Sequence, residues 1–113
     1  MNHPWMLVFW TETESDRGPV WNWLHALPED QRKAIVRKLI LLELSGNMLR
    51  MPSSKALGGG LFELRETGFG LRLYYGFLAG RVVILVASGD KSSQKRDIRL
   101  ARQRLNKALE DEK

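Results

Sequence analysis

Three stretches, Leu61-Phe62-Glu63-Leu64-Arg65-Glu66, Leu71-Arg72-Leu73-Tyr74-Tyr75-Gly76-Phe77 and Val82-Val83-Ile84-Leu85-Val86-Ala87, follow one another with only Gly68/Gly70 and Ala79-Gly80 as turn signals between them. Short apolar segments bounded by glycine read as a three-stranded antiparallel meander. Residues two apart on a strand share a face. Phe62 and Leu64 therefore join Leu71, Leu73, Tyr75 and Phe77 on a core face, and the opposite face receives Glu63, Arg65, Arg72 and Tyr74. The plain structural reading of that second face is a cross-strand Glu63–Arg72 pair, which contributes a few tenths to about 1 kcal/mol. The third segment is apolar on both sides, as suits a central strand covered on both faces.

Upstream of the meander, residues 5–10 read as a strand that leaves the core at Thr11-Glu12-Thr13-Glu14. Gly18-Pro19 opens a helix carrying Val20, Trp23, Leu24 and Leu27, and Pro28-Glu29-Asp30 starts a second. Ile35, Leu39 and Leu42 form the core stripe of that second helix, with Val36 and Ile40 alongside, and Gly46-Asn47 ends it. Residues 52–60, with Pro52, Ser53, Ser54 and Gly58-Gly59-Gly60, read as a loop. Downstream of Gly89-Asp90, Ile98, Ala101, Leu105 and Ala108 mark a last helix. The expected fold is α+β, one compact domain over 1–113 in the order β-α-α-β-β-β-α, with a mostly antiparallel sheet packed by helices.

With 113 residues there is room for one core and no second module. The absence of cysteine excludes disulfides, thiolate metal sites and a cysteine nucleophile. His3 and His25 have no metal-ligand spacing, and the triple glycine lacks the Lys-Ser/Thr of a phosphate-binding loop, so no metal or cofactor is expected. Apolar runs such as 82–87 are far too short to span a bilayer, and the N-terminus lacks a signal-peptide pattern; a cytoplasmic protein without membrane association is expected.

The net charge of +5 favours a polyanionic partner. Its placement sharpens that reading. Gly89-Asp90-Lys91-Ser92-Ser93-Gln94 joins the last strand to the last helix, where unpaired N–H groups and the helix dipole receive phosphate readily, and where Ser92 or Ser93 is equally suited to cap the helix. The helix then carries Lys95, Arg96, Arg99, Arg102, Arg104 and Lys107 against one internal acid, Asp97, more charge than solubility requires. Such a surface suits a nucleic-acid backbone and equally an acidic protein segment.

Gly18-Pro19-Val20 with Trp23-Leu24, Leu27-Pro28, Arg32 and Ile35, then Met51-Pro52, Lys55, Leu57 and Gly60-Leu61-Phe62-Glu63-Leu64-Arg65, resemble phage-derived HigB-type toxins of the RelE/ParE superfamily. Residues 68–75 and 89–94 with Asp97-Ile98 resemble the related addiction-module killer proteins. The resemblance covers nearly the whole chain. It implies a RelE-like fold and a metal-independent endoribonuclease that cuts mRNA on the ribosome and inhibits translation. It also implies neutralisation by a cognate antitoxin, often one with a helix-turn-helix domain. By position, Arg65, Arg72 and Lys91 are the implied catalytic residues, assisted by Tyr74 in the catalytic set and Gln94 in the RNA-binding one; the charge of the last helix adds Lys95, Arg96, Arg99 and Arg102 to the RNA-binding residues. Lys91 either stabilises the leaving oxygen or transfers a proton. The histidine and one of two lysines common among HigB-type relatives are replaced in Ala87-Ser88-Gly89-Asp90-Lys91, which leaves the general base open. A non-enzymatic gyrase inhibitor, or an inactive antitoxin-binding module, is the alternative on the same fold.

Overall fold

A computed structural model describes residues 3–113. The elements run β1 (Met6–Phe9), α1 (Pro19–Ala26), α2 (Glu29–Ser45), β2 (Ser54–Gly58), β3 (Leu61–Glu66), β4 (Leu71–Leu78), β5 (Val82–Asp90) and α3 (Gln94–Asp111), with single 3₁₀ turns at Gly46–Met48 and Lys91–Ser93. Five strands form one sheet in the order β1-β5-β4-β3-β2; β1 pairs parallel to β5 and every other pairing is antiparallel. The expected α+β architecture holds, and β5 is the inner strand its two apolar sides required.

The structure adds β2, a strand where the sequence reads as loop. Ser-Lys-Ala-Leu-Gly has no apolar alternation, and its pairing to β3 is completed by tertiary contacts: the Arg65 N–H donates to the Ser53 carbonyl at 2.8 Å, and Ser54 and Tyr75 share a short hydroxyl hydrogen bond. Gly58, Gly59 and Gly60 all have positive φ, between 64° and 89°, so the β2–β3 turn needs residues without a Cβ penalty.

The two faces of the sheet bury separate sets of side chains. On one, Leu64, Leu71, Leu73, Tyr75, Val83 and Leu85 pack against Val20 and Leu24 of α1 and Ile35, Leu39 and Leu42 of α2. Pro19 supplies the pre-set φ at the start of α1, and Glu29 and Asp30 lie in the first turn of α2, where the helix dipole favours acids. On the other face, α3 lays Ala101 and Leu105 against Leu61, Tyr74, Ile84, Val86 and Ala87. Val86 and Ala87 both reach this side because the β4–β5 register shifts between Tyr74 and Tyr75. Gly76 allows the approach of α3, since a Cβ there would lie 2.5 Å from Leu105 Cδ1. Arg102 and Arg104 also tie α3 to the sheet. Arg102 donates to the carbonyls of Leu57 (2.7 Å) and Gly58 (3.0 Å), while Arg104 donates to Val86 (2.8 Å) and lies over the Trp10 ring. No helix of the described residues is long and apolar enough to cross a membrane.

Candidate functional site

Register fixes which polar groups meet. Glu63 lies opposite Tyr74, and Arg65 opposite Arg72, which in turn pairs with Gly89 of β5. All of these face α3. A Cβ on Gly89 would lie 2.0 Å from Asp97 Oδ2, so the bare backbone there lets the first turn of α3 settle over the row.

Glu63 is the hub. Its carboxylate is 1% exposed and sits between two guanidiniums, with Arg65 Nε at 3.5 Å and Arg72 Nε at 3.7 Å, while Gln94 Nε2 donates to it at 2.8 Å. Two cations thus share one anion. Arg65 Nε, Arg72 Nε and Nη1 and the Tyr74 hydroxyl are buried atoms without a hydrogen-bond partner among the described residues. Both Nε atoms face Glu63 at ion-pair distance, so the imbalance lies in charge: two guanidiniums surround one buried carboxylate. The Arg65 side chain is 29% exposed and that of Arg72 11%, so the cluster is reached from solvent chiefly along Arg65.

Tyr74 requires a correction. Its ring is wholly buried beneath α3, and burial, followed by the charges of Glu63 and Asp97, pushes its hydroxyl above the ordinary tyrosine range. Its side chain underlies the cluster and is not at the surface.

At the β5–α3 junction Asp90 caps the 3₁₀ turn, and Ser93 takes the N-cap position of α3 without a side-chain capping bond. Asp90 accepts from the Ser92 N–H at 2.8 Å, and the Ser93 hydroxyl answers the Asp90 N–H at 3.3 Å and donates to buried Asp97. Hydrogen bonds from the Ser92 hydroxyl and N–H hold the Asp90 carboxyl below its ordinary range. Past this cap, Lys91, Gln94, Lys95, Arg96 and Arg99 line an open cleft of about 630 Å³ together with Ser92 and Ser93. Arg65 and Arg72 do not line it. The structure therefore gathers the sequence-derived residues into two groups, a sheet cluster and a helix-entrance cleft, and Gln94 belongs to both. Arg102 belongs to neither, because its guanidinium is spent on the β2–β3 turn. Glu63 was visible from the strand pattern only as a pairing partner; the signal for its larger role was a lone acid on the α3-facing side between two arginines.

A family model describing phage-derived Gp49-like proteins (DUF891) matches residues 22–106, three quarters of the chain and all elements from α1 to α3 in whole or part. The chain belongs to the phage-derived Gp49-like family. An uncharacterized protein of Haemophilus influenzae is 37% identical over 82 residues, covering 72% of this chain and 80% of its own length. Among solved structures, this Gp49-like domain is similar to a substituted E. coli RelE toxin in the free state, with a TM-score of 0.65, 19% identity and coverage of 89% of this chain and 97% of the other. It is similar also to a chain of the intact E. coli RelBE toxin–antitoxin complex, with a TM-score of 0.55, 20% identity and coverage of 76% and 95%. At that identity the likeness establishes a shared fold, and the Gp49-like chain has the RelE architecture.

Proposed function

We infer that this protein is the toxin of a toxin–antitoxin pair and that it acts as an endoribonuclease on mRNA, inhibiting translation. The observation that carries the reading is the charge imbalance around Glu63, two guanidiniums against one carboxylate, together with the open basic cleft at the entrance of α3. A phosphodiester supplies the missing negative charge. The likeness of the fold to the E. coli RelE toxin and to a chain of the RelBE toxin–antitoxin complex supports the same class.

In the proposed reaction the ribose 2′ oxygen attacks the adjacent phosphorus. The 2′-O–P bond forms, the P–O5′ bond breaks, the 2′ proton passes to a base, and the 5′ oxygen leaves with a proton. Arg65 and Arg72 offset the charge that grows on the phosphoryl oxygens, an effect worth several kcal/mol in a sheltered site. Lys91, at the helix entrance, supplies the proton or the charge for the leaving 5′ oxygen. Lys95, Arg96 and Arg99 hold the flanking backbone, and Gln94 couples the two groups through Glu63. The chain's own cations serve this chemistry without a bound metal. On this reading the ribosome presents the message in a geometry that so small a scaffold does not impose by itself, and the protein acts in the cytoplasm, where its antitoxin, expected to carry a helix-turn-helix domain, is made.

Induced expression of the soluble chain tests the class. Truncated messages with intact DNA are expected. DNA breaks with intact messages would assign it to the gyrase-inhibiting alternative, and unimpaired growth to an inactive antitoxin-binding module.

A further inference from the structure

The outer face of α2 is a second site of interest, unrelated to the basic cleft. Core residues Ile35, Leu39 and Leu42 define its inner side, so the opposite side belongs to residues 33, 37, 40, 41 and 44 at 100° per residue. A surface helix normally carries polar groups there. In this chain Lys33 and Arg37 begin the stripe, but it continues as Ile40, Leu41 and Leu44, then Met48 in the following 3₁₀ turn and Met51 just beyond. These are 49%, 41%, 61%, 72% and 57% exposed respectively. Contiguous apolar exposure of this kind on a small domain marks an interaction surface. A groove of about 320 Å³ lined by Leu49, Arg50, Ala56 and Phe62 continues it toward β2.

Charge decides between occupants. Arg37 stands at one end of the apolar stripe and Arg50 at the other. Lys33 is answered by Glu29 at 3.2 Å, whereas Arg37 has no acid partner among the described residues, and Arg50 donates only to the carbonyls of Asn47 and Leu49. If a second copy packed antiparallel about Leu44, Arg37 of each chain would meet the Arg50 region of the other. A parallel two-fold would set each arginine against its own mate. Both arrangements bring like charges together, which disfavours self-association.

We propose that this face is the docking site for an acidic amphipathic helix of a different protein. That helix lays apolar residues at i, i+4 and i+7 along Ile40, Leu44 and Met48 and places acids near Arg37 on α2 and Arg50 beyond the 3₁₀ turn. The assignment does not depend on RNA cleavage.

The test uses the full chain and two designed helical peptides with the same apolar i, i+4, i+7 face, one flanked by glutamates and one by lysines. The glutamate peptide is expected to shift backbone NMR signals over residues 37–51, and to bind at least 10-fold more weakly to Leu44→Gln and to Arg37→Glu. Both positions are exposed, and unchanged spectra elsewhere verify their folding. Equal binding of the lysine peptide, shifts confined to the α3 cleft, or no binding of either peptide would each overturn the proposal. So would a concentration-dependent dimer of the chain alone that Leu44→Gln abolishes, because a second copy would then be the occupant.

Discussion

Replacing Glu63 with Gln leaves Arg65 and Arg72 facing each other with no carboxylate between them. Breaking a largely buried ion pair from one side strands the remaining charge, and the exposure of Arg65 softens the penalty, so a loss of about 2–3 kcal/mol is expected in urea unfolding. An unchanged midpoint would show that the carboxylate does not organise the cluster. Tyr74 gives the opposite expectation. Its hydroxyl is buried without a geometrically sound partner, so Tyr74→Phe should hold stability within about 1 kcal/mol and leave activity intact; a large loss of activity would restore it to the catalytic set. The chain has two tyrosines, and burial raises both. Above pH 10.0 the unfolded chain releases these protons and the folded chain keeps them. Folding stability attributable to the pair is therefore complete below that pH and is lost as pH rises toward the folded values. Ultraviolet titration should show little tyrosinate at pH 10.0 until the protein unfolds. The strand alternation placed Glu63, Arg65, Arg72 and Tyr74 on one face correctly. It was silent on depth, because whether a tyrosine on a polar face meets water depends on what a helix far away in sequence lays over it.

The elements show the same division between local pattern and tertiary closure. Both α1–α2 boundaries and all three meander strands follow from Pro19, Pro28, Gly46 and the apolar alternation of residues 61–87. The β2 strand does not, since its five residues form a strand only through β3 and the Ser54–Tyr75 contact. The close seat of α3 on the sheet was equally hidden, resting on the missing side chains of Gly76 and Gly89. Gly76→Ala should therefore destabilise the protein by about 1–3 kcal/mol through overpacking against Leu105, read as a lower unfolding midpoint; neutrality would mean that α3 adjusts freely. The α3 entrance should also respond to acid. The Asp90 carboxyl is held below its ordinary 3.8 by the Ser92 hydroxyl and N–H, so its capping contribution is present above that pH and fades as pH falls through the lower folded value. Amide signals of residues 91–97 should shift as pH falls below 3.8, and Asp90→Asn should flatten that response. An identical profile in the variant would assign the change to another group.

At the scale of the whole molecule, one sheet separates two surfaces. The α3 side carries the cation cluster and the basic cleft, and the α2 side carries the exposed apolar stripe. The family was legible in the sequence because its motifs span α1 to α3 in order, and the net charge of +5 already pointed to a polyanion. The division of the cations into two groups joined by Gln94 was not legible, since β3 and α3 are about 30 residues apart in the chain and only the folded register brings Glu63 beneath Gln94. The most direct measurement is cleavage of ribosome-bound message by the purified chain, with product ends analysed, beside folded Arg65→Ala, Arg72→Ala and Lys91→Ala at equal concentration. The native protein should leave 5′-hydroxyl ends, and each variant should cut about 100-fold more slowly or worse. Cleavage at the native rate by all three variants, or fragments bearing 5′-phosphates, would contradict the account.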